Sequence, residues 1–255
     1  MEYFVVFICG AVLGSFLNVC VYRVPLGKSI VSPPSHCPFC ERPVRWFDNV
    51  PILSYVLLLG KCRDCLRKIP LRYPAVELIS GLSGVVLLLF FDRWPVFFIY
   101  WLFVLSLIAL SFIDIETQEL PDIITLPGIL VGIVLVTALN PGAKDSRLAA
   151  FFDSLLGVLA GGGVMFLMGF FGEMIFRREA LGGGDVKLMA MAGAFLGWQL
   201  VIIAFFLAPF FGAGVGIFMR IKFKSEVIPY GPYLAIASVI SLLWGKDIIS
   251  YLLPL

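Results

Sequence analysis

Charge is scarce in this sequence. Only 14% of its 255 residues are charged, whereas a soluble globular domain carries about 25%. A chain with 60% hydrophobic residues and so little charge belongs to the membrane class. Histidine is represented by His36 alone, and the net charge is only +2. The basic residues fall in short segments between apolar runs, and nothing in the pattern suggests nucleic-acid binding. No internal repeat is visible. Positive charge is also missing before the first apolar run, Tyr3 to Tyr22: Glu2 precedes it and Arg23 follows. A secretory signal has the opposite arrangement, so this run is expected to be a retained first transmembrane helix with its N-terminus outside.

Crossing a bilayer takes roughly 20 apolar residues. Eight candidate runs lie near 3–22, 74–91, 95–113, 123–139, 149–176, 186–197, 199–219 and 230–252. The sixth is short enough to be half-spanning or tilted. The predicted fold is therefore an all-α polytopic membrane protein with about eight transmembrane helices. Its expected organisation is a first helix over 1–22, a cytoplasmic insert over 23–73 and a membrane-embedded core over 74–255. With the N-terminus outside, 15 of the 19 Lys and Arg fall on the inner side. Only Arg93, Lys144, Arg147 and Lys246 fall outside, as the positive-inside bias requires. The glycines of the fifth run (Gly157, Gly161, Gly162, Gly163, Gly169 and Gly172) predict close helix packing, since small residues let backbones approach in lipid.

The insert over 23–73 is too small to bury much core and needs a staple. It contains Cys37-Pro38-Phe39-Cys40 and Cys62-Arg63-Asp64-Cys65. Two such knuckles are the pattern of one structural zinc held by four thiolates. Two disulfides are the competing arrangement, but they are rare in the cytoplasm, where the charge bias places this segment. His36 adjoins the first knuckle, although four cysteines already fill the site. Cys9 and Cys20, in the first helix, read as apolar packing residues. A closed site of this kind leaves the chemistry to be found elsewhere.

Acids supply that chemistry. The stretch Phe112 to Asp122 carries Asp114, Glu116, Glu119 and Asp122 and no base. Asp114 ends a long apolar helix, where a carboxylate is costly and opposes the helix dipole. Asp185 follows Gly182-Gly183-Gly184 at the start of the sixth run, and glycines there let another chain approach closely. Two carboxyls at one depth can share a proton and perform aspartic-protease chemistry. The plainer role for Asp185 is helix capping, and Asp122, just after Pro121, is assigned to that role.

The order of these features resembles the bacterial prepilin peptidases, the Gly-x-Gly-Asp membrane aspartic peptidases. Gly14-Ser15-Phe16-Leu17-Asn18-Val19-Cys20-Val21-Tyr22-Arg23-Val24-Pro25 is similar to their opening. The paired cysteines follow, then the segment from Asp114 to Leu120-Pro121-Asp122, then Gly182-Gly183-Gly184-Asp185-Val186-Lys187-Leu188. The resemblance implies a peptidase of the bacterial inner membrane, with Asp114 and Asp185 catalytic. It would cut the basic leader from type IV prepilins or type II secretion pseudopilins after a Gly at the cytoplasmic face. It also implies N-methylation of the new N-terminus with S-adenosylmethionine. That activity comes from the resemblance alone, since no Gly-rich turn after a strand marks a methyl-donor fold. Two readings of other classes compete with the peptidase. One is an ion or metal transporter, although both acids sit at one face and not at the midplane. The other is a non-enzymatic assembly factor that docks through its zinc module.

Overall fold

The computed structural model describes residues 1–176, 182–223 and 229–252. Arg177, Arg178 and Lys224, three of the basic residues behind the orientation argument, lie outside the described residues. Among those described there is no strand, only helices and two isolated bridges. The helices form two compact units, Met1–Asp92 and Arg93–Leu255.

The first unit is built on two long helices, α1 (Glu2–Arg23) and α3 (Arg72–Phe90). They meet along small residues. A Cβ on Gly10 would lie 2.6 Å from the Ser80 carbonyl, and one on Gly14 would lie 2.7 Å from the Glu77 Cα. Only glycine allows so close an approach. Between the helices, the chain makes a single 3₁₀ turn, Trp46–Asn49, and one short helix, α2 (Leu53–Leu57). Over residues 24–71 only Cys37, Ser54 and Gly60 are buried. This segment has almost no apolar core of its own, in line with its need for a staple.

The second unit contains α4 (Trp94–Thr117), α5 (Asp122–Leu139), α6 (Arg147–Phe176), α7 (Gly183–Leu196), α8 (Trp198–Phe223) and α9 (Gly231–Leu252). Local chemistry sets the ends. The α4 helix stops where Gln118 turns left-handed, at φ 57°, and its N–H returns to the Asp114 carbonyl. Pro121 is extended and opens α5, and Asn140 closes it in the left-handed region that Asn tolerates. At the end of α7, Gly197 adopts φ 80° and the chain passes directly into α8.

Eight helices thus stand where eight apolar runs were read. Six of them (α1, α3, α4, α5, α6 and α9) are long and apolar enough to cross a membrane. This is a multi-pass membrane protein. The α8 helix has 26 residues and is apolar over Trp198–Gly214. The sixth run differs: α7 has 14 residues, a rise of about 21 Å against a hydrocarbon core of about 30 Å. Every residue from Leu188 to Leu196 is buried. A helix buried all round is apolar all round, so its sequence looks like a membrane span while its neighbours, not lipid, surround it.

The tightest of those neighbours is α6. A Cβ on Gly157 would overlap the Gly193 carbonyl, and one on Gly193 would overlap the Gly157 carbonyl, so the two backbones touch. Gly161 meets the Met189 carbonyl in the same way, and Gly162 faces Ala190. Ser154 adds a buried hydrogen bond from its hydroxyl to the Ala194 carbonyl at 2.7 Å. Gly157, Gly161 and Gly162 therefore form a packing surface, whereas Gly163 faces open space. Gly157→Ala should destabilise the protein by about 1–3 kcal/mol, and Gly163→Ala should be close to neutral. Thermal unfolding in one detergent would compare them, and equal melting temperatures would contradict the backbone contact.

Candidate active site and metal centre

The two knuckles of the first unit have the same local form. The Cys37 N–H donates to the Arg42 carbonyl (3.0 Å) and the Cys62 N–H to the Arg67 carbonyl (2.9 Å). The Glu41 N–H donates to the Cys37 carbonyl and the Leu66 N–H to the Cys62 carbonyl. Glu41 and Leu66, each just after a second cysteine, both adopt φ 57°, a turn that aims the two thiols of a knuckle inward. Charge pairs tie the knuckles together and to the neighbouring turn. Arg42 binds Asp64 at 3.0 Å and Arg63 binds Asp48 at 2.6 Å.

All four sulfurs of Cys37, Cys40, Cys62 and Cys65 lie within 4.8 Å of one another, and none forms a disulfide. Cys37 and Cys65 are 3.8 Å apart. Metal–thiolate bonds of about 2.3 Å in a tetrahedron require sulfur pairs about 3.8 Å apart, so the cluster could hold a metal ion. Burial opposes ionisation of the Cys37 thiol. Hydrogen bonds from the backbone of Phe39 and Cys40 and from the Cys40 and Cys62 side chains outweigh it and bring Cys37 down to about 7. The thiolate is the ligand form, and a lowered pKa makes it available near neutral pH.

In the second unit, Asp114 stands in the last turn of α4 and Asp185 in the first turn of α7. The two carboxyls are within electrostatic reach of each other, and no ion pair involves either among the described residues. Asp114 is only 5% exposed. It accepts a hydrogen bond from the Gly231 N–H at 2.8 Å, at the start of α9. The positive end of α9 thus offsets the unfavourable dipole of α4. Asp185 is half-buried, and its carboxyl accepts the N–H of Gly182, the residue that caps α7. Tyr230, next to Gly231, lies within electrostatic reach of Asp185.

Of the three glycines before Asp185, Gly184 permits a close approach: a Cβ there would come 2.8 Å from the Leu120 side chain. The loop that joins α4 to α5 therefore rests on the start of α7. Asp122 does not cap α5, which has no side-chain cap; it forms an ion pair with Lys187. That pairing corrects the capping role expected from sequence, because a cation 65 residues away competes for the carboxylate.

Two family models match successive parts of the chain: the bacterial peptidase A24 N-terminal domain over residues 8–91 and the type IV leader peptidase family over residues 101–217. A prepilin leader peptidase/N-methyltransferase of Aeromonas hydrophila is 35% identical, over 95% of this chain and 91% of the relative. The chain belongs to the type IV leader peptidase family. Other members are similar to it. A prepilin leader peptidase/N-methyltransferase of Pseudomonas aeruginosa is 36% identical over 94% of this chain and 89% of its own length. One of Myxococcus xanthus is 42% identical over 84% of this chain but only 62% of its own length. No solved structure matches the chain.

The four cysteines fall within the first family match, and Asp114 and Asp185 within the second. Tyr230 and Gly231 lie beyond both, and sequence reasoning missed them. The pattern Pro229-Tyr230-Gly231-Pro232 at a helix start was the available signal, since Pro suits a first turn and leaves the preceding N–H free. For the cluster, elemental analysis of purified protein should find about one metal ion per chain. Uptake by stripped protein should weaken as pH falls through about 7, because protons compete for Cys37. Disulfides among these cysteines in the native protein would rule the metal centre out.

Proposed function

We propose that this chain is an aspartic endopeptidase of the bacterial inner membrane that removes the basic leader from type IV prepilins or pseudopilins. We further propose that it then N-methylates the new N-terminus with S-adenosylmethionine. The arrangement that supports the peptidase reading is that Asp114 and Asp185 lie within electrostatic reach of each other, with no cation paired to either among the described residues. Two such carboxyls relieve their repulsion by holding one proton between them. The names of the relatives, all prepilin leader peptidase/N-methyltransferase, support both halves of the reading.

Backbone N–H groups support the anion at each acid, Gly231 at Asp114 and Gly182 at Asp185. We take Asp114 as the base that removes a proton from water and Asp185 as the acid that donates the shared proton to the scissile carbonyl oxygen. Collapse of the tetrahedral adduct breaks the C–N bond and returns one hydroxyl proton to Asp185. The amine of the mature pilin leaves with the proton taken up by Asp114, and the carboxyl of the leader stays behind. Water and the two acids account for every proton, and no covalent intermediate is required.

In this reading Cys37, Cys40, Cys62 and Cys65 hold a structural zinc that stabilises the 23–73 insert. The distribution of basic residues supports a cytoplasmic insert, with the Asp114–Asp122 acids at the inner face, where a basic leader would lie. The 74–255 segment is the membrane-embedded core. A transporter or an assembly factor would give its relatives no reason to share the name of a peptidase.

Asp114→Asn and Asp185→Asn should each lower leader cleavage by about 10²–10⁴-fold, with the double variant little worse, because the pair acts as a unit. Asp114→Glu should also fall strongly, since it shifts the carboxyl by one methylene. Asp122→Asn should be mild. Cleavage of a synthetic prepilin by protein in detergent measures all four, and robust cleavage by Asp114→Asn would remove it from the mechanism. Orientation has its own check. An impermeant thiol reagent applied to intact cells should label a cysteine placed at Lys144 but not one placed at Lys28 in a Cys-free background.

A further inference from the structure

Hydrolysis by the aspartate pair leaves the methyl-transfer half of the proposed function without a site. We propose that a cavity within the first unit binds S-adenosylmethionine, with Arg23, Asn18 and Glu77 as its polar contacts. This assignment rests on the methyltransferase reading above. The cavity measures about 280 Å³, just below the range of small-molecule pockets, about 300 to 1,000 Å³. The C-terminal end of α1, the N-terminal end of α3 and the cysteine-bearing segment form its walls, and Ser15, Tyr22 and Tyr73 line it beside those three residues and the charged side chains of that segment.

Each of those three has chemistry that the fold leaves incomplete. Arg23 is 6% exposed, and its guanidinium donates to the carbonyls of Ser29 (3.0 Å), Pro33 (2.6 Å) and Pro34 (3.4 Å). No carboxylate pairs with it among the described residues. Glu77 is 8% exposed and accepts hydrogen bonds from the Ile52 N–H (2.7 Å) and from Ser15. No cation pairs with it among the described residues. Asn18 is 2% exposed; its amide N–H donates to the Tyr73 carbonyl at 3.0 Å, while its amide oxygen is buried with no donor. A buried acceptor without a donor costs about 1–3 kcal/mol, and buried charges without counter-charges cost more.

The backbone is under tension beside this wall. Ile52, which donates to Glu77, has φ 62° and ψ −51°, a positive-φ conformation that is unusual for a β-branched residue. Such strain persists where the surroundings hold it in place, and it clusters at ligand sites.

A ligand that satisfies this wall carries a cation for Glu77, a carboxylate for Arg23 and an N–H for Asn18, with a flat ring to lie against tyrosines. S-adenosylmethionine has a sulfonium and an ammonium, a carboxylate, an adenine amine and a purine ring. When bound, it supplies a methyl group: an amine lone pair forms the new N–C bond, sulfur keeps the electron pair of the broken C–S bond, and the amine proton is lost to water. The residues of this unit bind and orient the donor.

The test uses the full-length protein in lipid nanodiscs with radiolabelled S-adenosylmethionine. Equilibrium binding, metal content and leader cleavage are read separately. Glu77→Gln should weaken donor binding by about tenfold or more while the metal and leader cleavage persist. Val19→Phe adds bulk at the cavity wall and leaves all three polar contacts intact; it should give a similar loss. Should Glu77→Gln lose its metal, Val19→Phe decides. If wild-type protein methylates the cleaved product and both metal-loaded variants bind the donor as tightly as wild type, the cavity assignment is wrong and the methyltransferase reading stands. If wild-type protein cleaves the leader yet neither binds the donor nor methylates, that reading fails and the cavity assignment falls with it.

Discussion

A single hydrogen bond, from the Gly231 N–H to Asp114, governs how the second unit is arranged around its acids. A carboxylate at the end of an apolar helix has the dipole of that helix against it and little solvent to help. The start of α9 supplies both a donor and an opposing dipole. That solution requires a glycine, because a Cβ at 231 would lie 2.8 Å from the Asp114 oxygen. It also requires α9 to begin where α4 ends. Asp185 solves the same problem locally, through the N–H of Gly182 at the head of its own helix. Each acid is therefore held by backbone, and neither is neutralised by a cation.

Backbone approach is also how the rest of the molecule coheres. Lipid gives helices no hydrophobic reason to associate, so association relies on close packing and on hydrogen bonds. Gly157 against Gly193, Gly184 under Leu120, and Gly10 and Gly14 against α3 all serve that purpose. In the cysteine-bearing segment, where too little is buried to form a core, four converging thiols take the place of packing.

Much of this was legible in the sequence. Apolar runs located the eight long helices of the described residues, because period and length are local properties. Paired cysteines at knuckle spacing announced their cluster for the same reason. The glycines of α6 and those before Asp185 were read as places of close approach, and Gly157 and Gly184 are such places. What escaped depends on distant partners. A continuous apolar run looks the same whether lipid or protein surrounds it, so α7 read as a candidate span. Asp122 had the position of a cap, but Lys187 claims it from across the unit. Gly231 gave little warning, since a backbone donor has no side-chain signature and its acceptor is 117 residues away.

The brevity of α7 has a mechanical meaning. Gly197 passes the chain straight into α8 without slack, so the far end of α7 is clamped. From Gly197 back to Asp185 there are 12 residues, about 18 Å of helix at 1.5 Å each. The helix is a gauge block: its length, set at one end, fixes the height of the carboxyl at the other. One residue more or fewer would shift Asp185 by about 1.5 Å and swing it about 100° around the axis. This distance can change only if both ends are rebuilt together.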